Sequence, residues 1–154
     1  MALLALHGSR FMIAAAIALG LGGAALAAGA DELFDKREMA MKQAGGALKA
    51  LGGAAKSGSV PADAAAKAQL IVDLAAAIPG LFPEGSITDK SRALPDIWTD
   101  KAGWDGKVKA LADAAAVTLA AASAGDAAAL GAAVDATGAS CGGCHKMFRG
   151  PEKD

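Results

Sequence analysis

Tyrosine is absent from this 154-residue chain, and aromatic residues of every kind make up 4% of it. β-Branched residues are also sparse, so a sheet has little to build on. Histidine occurs only twice, as His7 and His145, and cysteine only twice, as Cys141 and Cys144. Beyond Asp31 only Cys141, Cys144 and His145 remain, and a structural zinc site, which takes four protein ligands, could not be completed there without carboxylates. Charge of one sign is missing as well. The formal net charge is −1, and all sixteen acidic residues lie at or beyond Asp31. The chain from Asp31 onward sets fourteen basic residues against these sixteen, with the lysines spread out rather than clustered. No basic block of the kind that grips nucleic acid is present, so nucleic acid is not an expected partner. No acid–base pair or activated nucleophile stands out either, and the chain is not expected to be an enzyme.

What is abundant is alanine, with 20 glycines beside it. An Ala-rich chain with scattered Leu and Lys favours helix, and the length suggests one domain. The N-terminus reads as an export signal spanning residues 1–30. Arg10 supplies a basic start, Phe11 to Ala28 is uncharged and apolar, and small residues follow, with cleavage expected after Ala27 or Ala30. The functional domain is then residues 31–154, placed in the periplasm.

Four helical segments are predicted in that domain. The first runs from about Asp31 to Lys56, with Phe34, Met41, Ala44, Gly45 and Leu48 on one face. Gly45-Gly46 and Gly52-Gly53 interrupt it and mark places where something large packs closely. The second starts at Pro61 and ends before Pro79, with Leu70, Leu74 and Ala77 as its inner stripe and Ile71 and Ile78 beside it. A connection of about sixteen residues leads to Pro95, unusually long for a compact domain. The third segment runs from Pro95 to Ala124, and Trp104, Val108, Leu111, Ala115 and Leu119 share a face. The fourth runs from Ala127 to Phe148 behind a capping Asp126, with Leu130, Val134, Thr137, Cys141, Cys144, His145 and Phe148 on one side. The expected fold is all-α: an antiparallel four-helix bundle with a long crossover between helices 2 and 3.

The specific motif is Cys141-Gly142-Gly143-Cys144-His145, the pattern of c-type haem attachment. On a helix, spacings of three and four bring both sulfurs and the imidazole to one side. Two thioethers could hold the porphyrin edge while the imidazole reaches the iron, and Gly142 and Gly143 put no side chain in the way. A disulfide between cysteines this close would stabilise little, and a thioredoxin-like dithiol needs a strand–helix–strand setting that is absent. One covalently attached haem c is therefore expected, with His145 as the proximal iron ligand. For the sixth position, methionine is the available strong ligand. Met12 falls in the signal, and Met147 is two positions past His145 and points away. Met39 and Met41 lie on opposite faces of the first helix. Met41 shares its face with Phe34 and Leu48 and is expected to point into the bundle, as iron ligand or as core filler.

Lys36-Arg37-Glu38-Met39-Ala40-Met41-Lys42, Leu81-Phe82-Pro83, Pro95-Asp96-Ile97-Trp98 and the stretch from Cys141 to Arg149 together resemble the class II c-type cytochromes, the family of cytochrome c′ and cytochrome c-556. The resemblance covers essentially everything after the signal. It implies thioethers at Cys141 and Cys144, proximal ligation by His145, and an approach of Arg37 to a haem propionate. It places Met41 over the distal face of the iron, a coordinating Met in the c-556 type and an apolar wall in the c′ type, and it removes Met39 and Met147 from contention. Phe148 stands where many members have Tyr. The expected role is one-electron transfer with periplasmic redox partner proteins. The alternative is binding of nitric oxide or carbon monoxide at a five-coordinate iron. Members of the family often form homodimers.

Overall fold

In a computed structural model of the chain, the backbone is described from Leu21 and the side chains from Gly29, in both cases through Glu152. Of the expected export signal, residues 1–20 lie outside the described residues. Five helices follow in order: α1 (Leu21–Lys56), α2 (Ala64–Leu81), α3 (Asp96–Thr99), α4 (Lys101–Ala124) and α5 (Ala127–Phe148). The four long ones pack as a bundle in which α1 touches α2 and α5, and α4 touches α2 and α5. α1 and α4 are thus diagonal, as are α2 and α5. Short loops join α1 to α2 and α4 to α5, which makes each pair antiparallel.

Several boundaries differ from expectation. α1 is helical from the first described residue, Leu21, ten residues ahead of Asp31, and runs without a break through all four of its predicted interruptions at Gly45, Gly46, Gly52 and Gly53. A glycine costs about 1 kcal/mol in a helix, and packing outweighs that here: a Cβ on Gly52 would meet Val134 Cγ1 at 3.2 Å, so this glycine permits the close approach of α5. α2 begins at Ala64 rather than Pro61, and it runs through Pro79 instead of stopping before it. Pro79 sits in the last turn, where Phe82 N–H closes on the Pro79 carbonyl at 3.4 Å. The third predicted segment is divided at Asp100, whose backbone leaves helical geometry (φ −108°, ψ 63°) and whose side chain accepts the Gly103 N–H. Asp126 caps α5 as expected, accepting the Ala129 N–H at 2.9 Å, and Gly125 ends α4 in the left-handed region at φ 69°.

Alanine supplies much of the packing. The buried stripe of α2 is Ala64, Ala68, Ile71, Ala75 and Ile78, not the Leu70, Leu74 and Ala77 series. The observed residues follow i, i+4, i+7 spacing, but with methyl groups where larger side chains were sought. The stripe of α1 is likewise turned, with Ala40, Ala47 and Leu51 buried. Two core clusters result. One joins Leu51, Ala68, Ile71, Ala115, Leu130 and Val134 towards the short loops. The other joins Ile78, Ile97, Trp104 and Phe148 at the opposite end.

The crossover stays at that second end. Phe82, just after α2, meets Trp104, in the first turn of α4, edge-on at 5.1 Å between ring centroids. The ends of α2 and α4 are therefore close, and the connection does not traverse the bundle. It is fastened to the end of α5: Leu94 N–H donates to the Phe148 carbonyl, Gly150 N–H to that of Arg92, and Arg92 Nε and Nη2 both donate to the Gly150 carbonyl.

Candidate functional site

Between the two core clusters the four long helices part around a cleft of about 280 Å³. Its walls are α1 (Ala40, Met41, Ala44, Gly45, Leu48), α2 (Ile71 to Ile78), α4 (Trp104 to Leu111) and α5 (Thr137 to Phe148), with Arg149 beyond. Almost every lining group is apolar; the ionisable ones are Lys107, Cys141, Cys144, His145 and Arg149. An Ala-rich core has little bulk of its own, and the cleft occupies the place a large apolar core element would take.

All three residues of the attachment motif reach this cleft from α5. Cys141 and Cys144 are half-buried free thiols, not joined to one another. Burial pushes the Cys141 thiol above its ordinary pKa of 9.0. Burial and the neighbouring Cys141 do the same for Cys144, opposed by the ammonium of Lys107. Burial, with Arg149 and Arg92 nearby, holds the His145 imidazole below 6.5, so it is neutral near pH 7, the form that binds a metal. Among the described residues, no group of three or more His, Cys, Asp or Glu is placed to hold a metal ion directly. The imidazole is thus the nitrogen donor of this wall.

Met41 lines the adjoining α1 wall but only at its lip, with 37% of its surface exposed, rather than pointing fully inward as expected. The reason is the rotation of the α1 stripe toward Ala40, Ala47 and Leu51. It remains the one thioether among the lining residues. Met39 (60% exposed) and Met147 (44% exposed) face away, as expected.

Arg37 is buried, with 5% of its surface exposed. Its Nε donates to the Leu33 carbonyl at 3.0 Å, its Nη2 donates to the Ser86 carbonyl, and the guanidinium lies 4.8 Å from the Phe82 ring centroid. Its Nη1 has no hydrogen-bond partner. Ser86 and Thr88, whose buried hydroxyls also lack partners, were not foreseen; nothing in their loop-like sequence context distinguishes them. The donor set fits a haem. Two thiols stand three apart on one helix face, a neutral imidazole follows, the walls are apolar, and a buried cation with an unused N–H lies one turn before Ala40.

The family model described as Cytochrome C' matches residues 32–149. Cytochrome c′ of Pararhodospirillum photometricum is 35% identical over 122 residues, covering 77% of this chain and 97% of that protein. Cytochrome c-556 of Agrobacterium tumefaciens (strain II Chrys) is 39% identical over 118 residues, covering 75% and 94%. Among solved structures, the nitric oxide complex of a variant of cytochrome c prime from Alcaligenes xylosoxidans matches with a TM-score of 0.71 at 27% identity, covering 80% of this chain and 97% of that one.

Proposed function

This chain belongs to the cytochrome c′ family, whose proteins carry a covalently attached c-type haem, and on that footing we propose that it is a periplasmic one-electron carrier rather than an enzyme. In this reading Cys141 and Cys144 form the thioethers, His145 holds the iron from the α5 side, and Met41 offers its thioether from α1. Bound there, haem supplies an iron that exchanges a single electron between ferric and ferrous states. The observation that carries the proposal is that Met41 lines the same cleft as Cys141, Cys144 and His145. With an imidazole and a thioether both lining the cleft, a haem held there would have two protein donors for its iron, and the soft thioether would raise its potential. The apolar walls exclude water, and Arg37 stands at the edge as the cation for a propionate. The partners of this role are redox proteins of the periplasm, and the family's habit of pairing makes a homodimer the expected assembly.

A second reading is supported by the likeness to a cytochrome c prime solved with nitric oxide. There Met41 would be only a wall, leaving one axial side free for nitric oxide or carbon monoxide. The visible spectrum of the ferrous protein with and without carbon monoxide separates the two. The proposal expects a low-spin spectrum indifferent to carbon monoxide, converted by Met41→Ala to a high-spin form that takes up the gas. A wild-type spectrum already high-spin and gas-responsive would replace the first reading with the second.

A further inference from the structure

His145 stands in the last turn of α5, which ends at Phe148. Helix ends fray, and the last four carbonyls of a helix have no partner inside it. Gly138, Gly142 and Gly143 weaken the stretch that leads to this turn. No described residue hydrogen-bonds the His145 ring. The backbone that carries the imidazole, and the walls around it, therefore decide where it points.

What steadies the turn comes from the crossover. Ala93 pairs antiparallel with Arg149, whose backbone is extended (φ −126°, ψ 121°). Leu94 N–H donates to the Phe148 carbonyl at 3.0 Å, and Gly150 N–H donates to the Arg92 carbonyl at 2.7 Å. Arg149 N–H closes the turn on the carbonyl of His145 itself, at 3.1 Å. The Arg92 side chain then grips the same segment. Its Nε and Nη2 donate to the Gly150 carbonyl at 3.1 and 2.9 Å, across 58 positions of chain. Its Nη1 donates to the Glu152 carboxylate at 3.2 Å. That ion pair is the weaker hold, because the Glu152 side chain is 89% exposed and an exposed pair contributes little. The fork on the carbonyl is partly buried and charge-assisted. The guanidinium also lies close enough for its charge to act on the His145 imidazole.

We propose that Arg92 is a positioning residue for the axial imidazole: its fork on the Gly150 carbonyl pins the last turn of α5 to the crossover and so fixes the direction in which His145 faces the iron. The inference rests on the reading of the cleft as a haem site. Arg92 acts through the backbone of residues 145–150 rather than on the cofactor.

The test compares the haem-loaded wild type with R92Q, R92K and E152Q. One readout is amide hydrogen exchange in the last turn of α5. The other is the rhombic splitting of the ferric electron paramagnetic resonance spectrum, which depends on how the imidazole is set over the haem. R92Q is expected to speed exchange about three- to tenfold, the effect of losing one or two hydrogen bonds, and to change the splitting. R92K replaces a planar fork by a single ammonium and should give part of both effects. E152Q should leave both at their wild-type values. An unchanged splitting in R92Q would overturn the proposal even if exchange is faster, since the fork would then hold only the chain end. E152Q matching R92Q would overturn it as well, by making the ion pair the hold. Should R92Q fail to mature, R92K decides on the same terms: a wild-type splitting overturns the proposal. Failure of the underlying reading looks different: the wild-type protein itself would show no haem mass.

Discussion

The indole of Trp104 stands perpendicular to the ring of Phe148, 5.3 Å between centroids, and so ties the first turn of α4 to the last turn of α5. Phe148 is 4% exposed and follows His145 by one helical turn. Phe148→Ala should destabilise the protein by about 3–5 kcal/mol, the usual cost of removing a buried Phe. Urea unfolding monitored by tryptophan fluorescence checks this. Phe148→Tyr should be far milder, since the ring that meets Trp104 is retained.

Removing the cofactor should loosen the bundle at least as much as a large core truncation. The two core clusters are separated by the cleft, and few large side chains bridge them. The double variant C141A/C144A, which cannot be loaded covalently, should lose at least about 3 kcal/mol relative to the haem-bearing protein, because the missing group exceeds a buried Phe in area. Chemical denaturation of the two forms measures the difference, and equal midpoints would contradict it.

The haem-free chain should also weaken on mild acidification. Above pH 6.5 the His145 imidazole is neutral whether the chain is folded or not. Burial and the nearby Arg149 and Arg92 depress its pKa in the folded state. As pH falls through 6.5 the unfolded chain binds the proton first, so stability falls until the folded-state pKa is reached, and levels off below it. Unfolding midpoints of C141A/C144A between neutral pH and about pH 5 should show this slope, and adding His145→Gln should flatten it.

An asymmetry is expected at the buried pair Thr118 and Thr137, whose hydroxyls lie 2.9 Å apart. Thr118 also donates to the Ala114 carbonyl at 3.1 Å, so the proton between the two hydroxyls comes from Thr137. Thr118→Val strands that donor and should destabilise by about 1–3 kcal/mol. Thr137→Val leaves Thr118 its carbonyl partner and should cost less. The double Val variant should cost less than the sum of the singles, as a thermodynamic cycle would show.

The chemistry-bearing helix was largely legible in the sequence, and the rest of the bundle less so. The α5 face from Leu130 to Phe148 is where periodicity put it, because leucine, valine and aromatic side chains mark their own side of a helix. α2 is less legible for the converse reason. With Ala64, Ala68 and Ala75 as its buried positions, hydrophobicity discriminates poorly between inside and outside, and the larger Leu70 and Leu74 drew attention to the flank. Arg37 reads as a surface residue by type, and only its contacts with Leu33, Phe82 and Ser86 reveal a buried cation. Those contacts cross up to 49 positions, beyond any local pattern. Pro79 shows that a helix-ending signal can be absorbed when it falls in the last turn.

The loops at Ser57-Gly58-Ser59 and Gly125-Asp126 sit at the pole remote from the cleft, where Gly58 and Gly125 turn the chain at φ 70° and 69°. Exposed tips of this kind accept insertions with little thermodynamic penalty. A fluorophore, an affinity tag or a thiol for attachment to an electrode, introduced at Ser59, would leave the entire cleft-bearing pole facing solution. Immobilised molecules would then share one orientation, and electron exchange with a dissolved partner could be followed without chemical modification near the cleft.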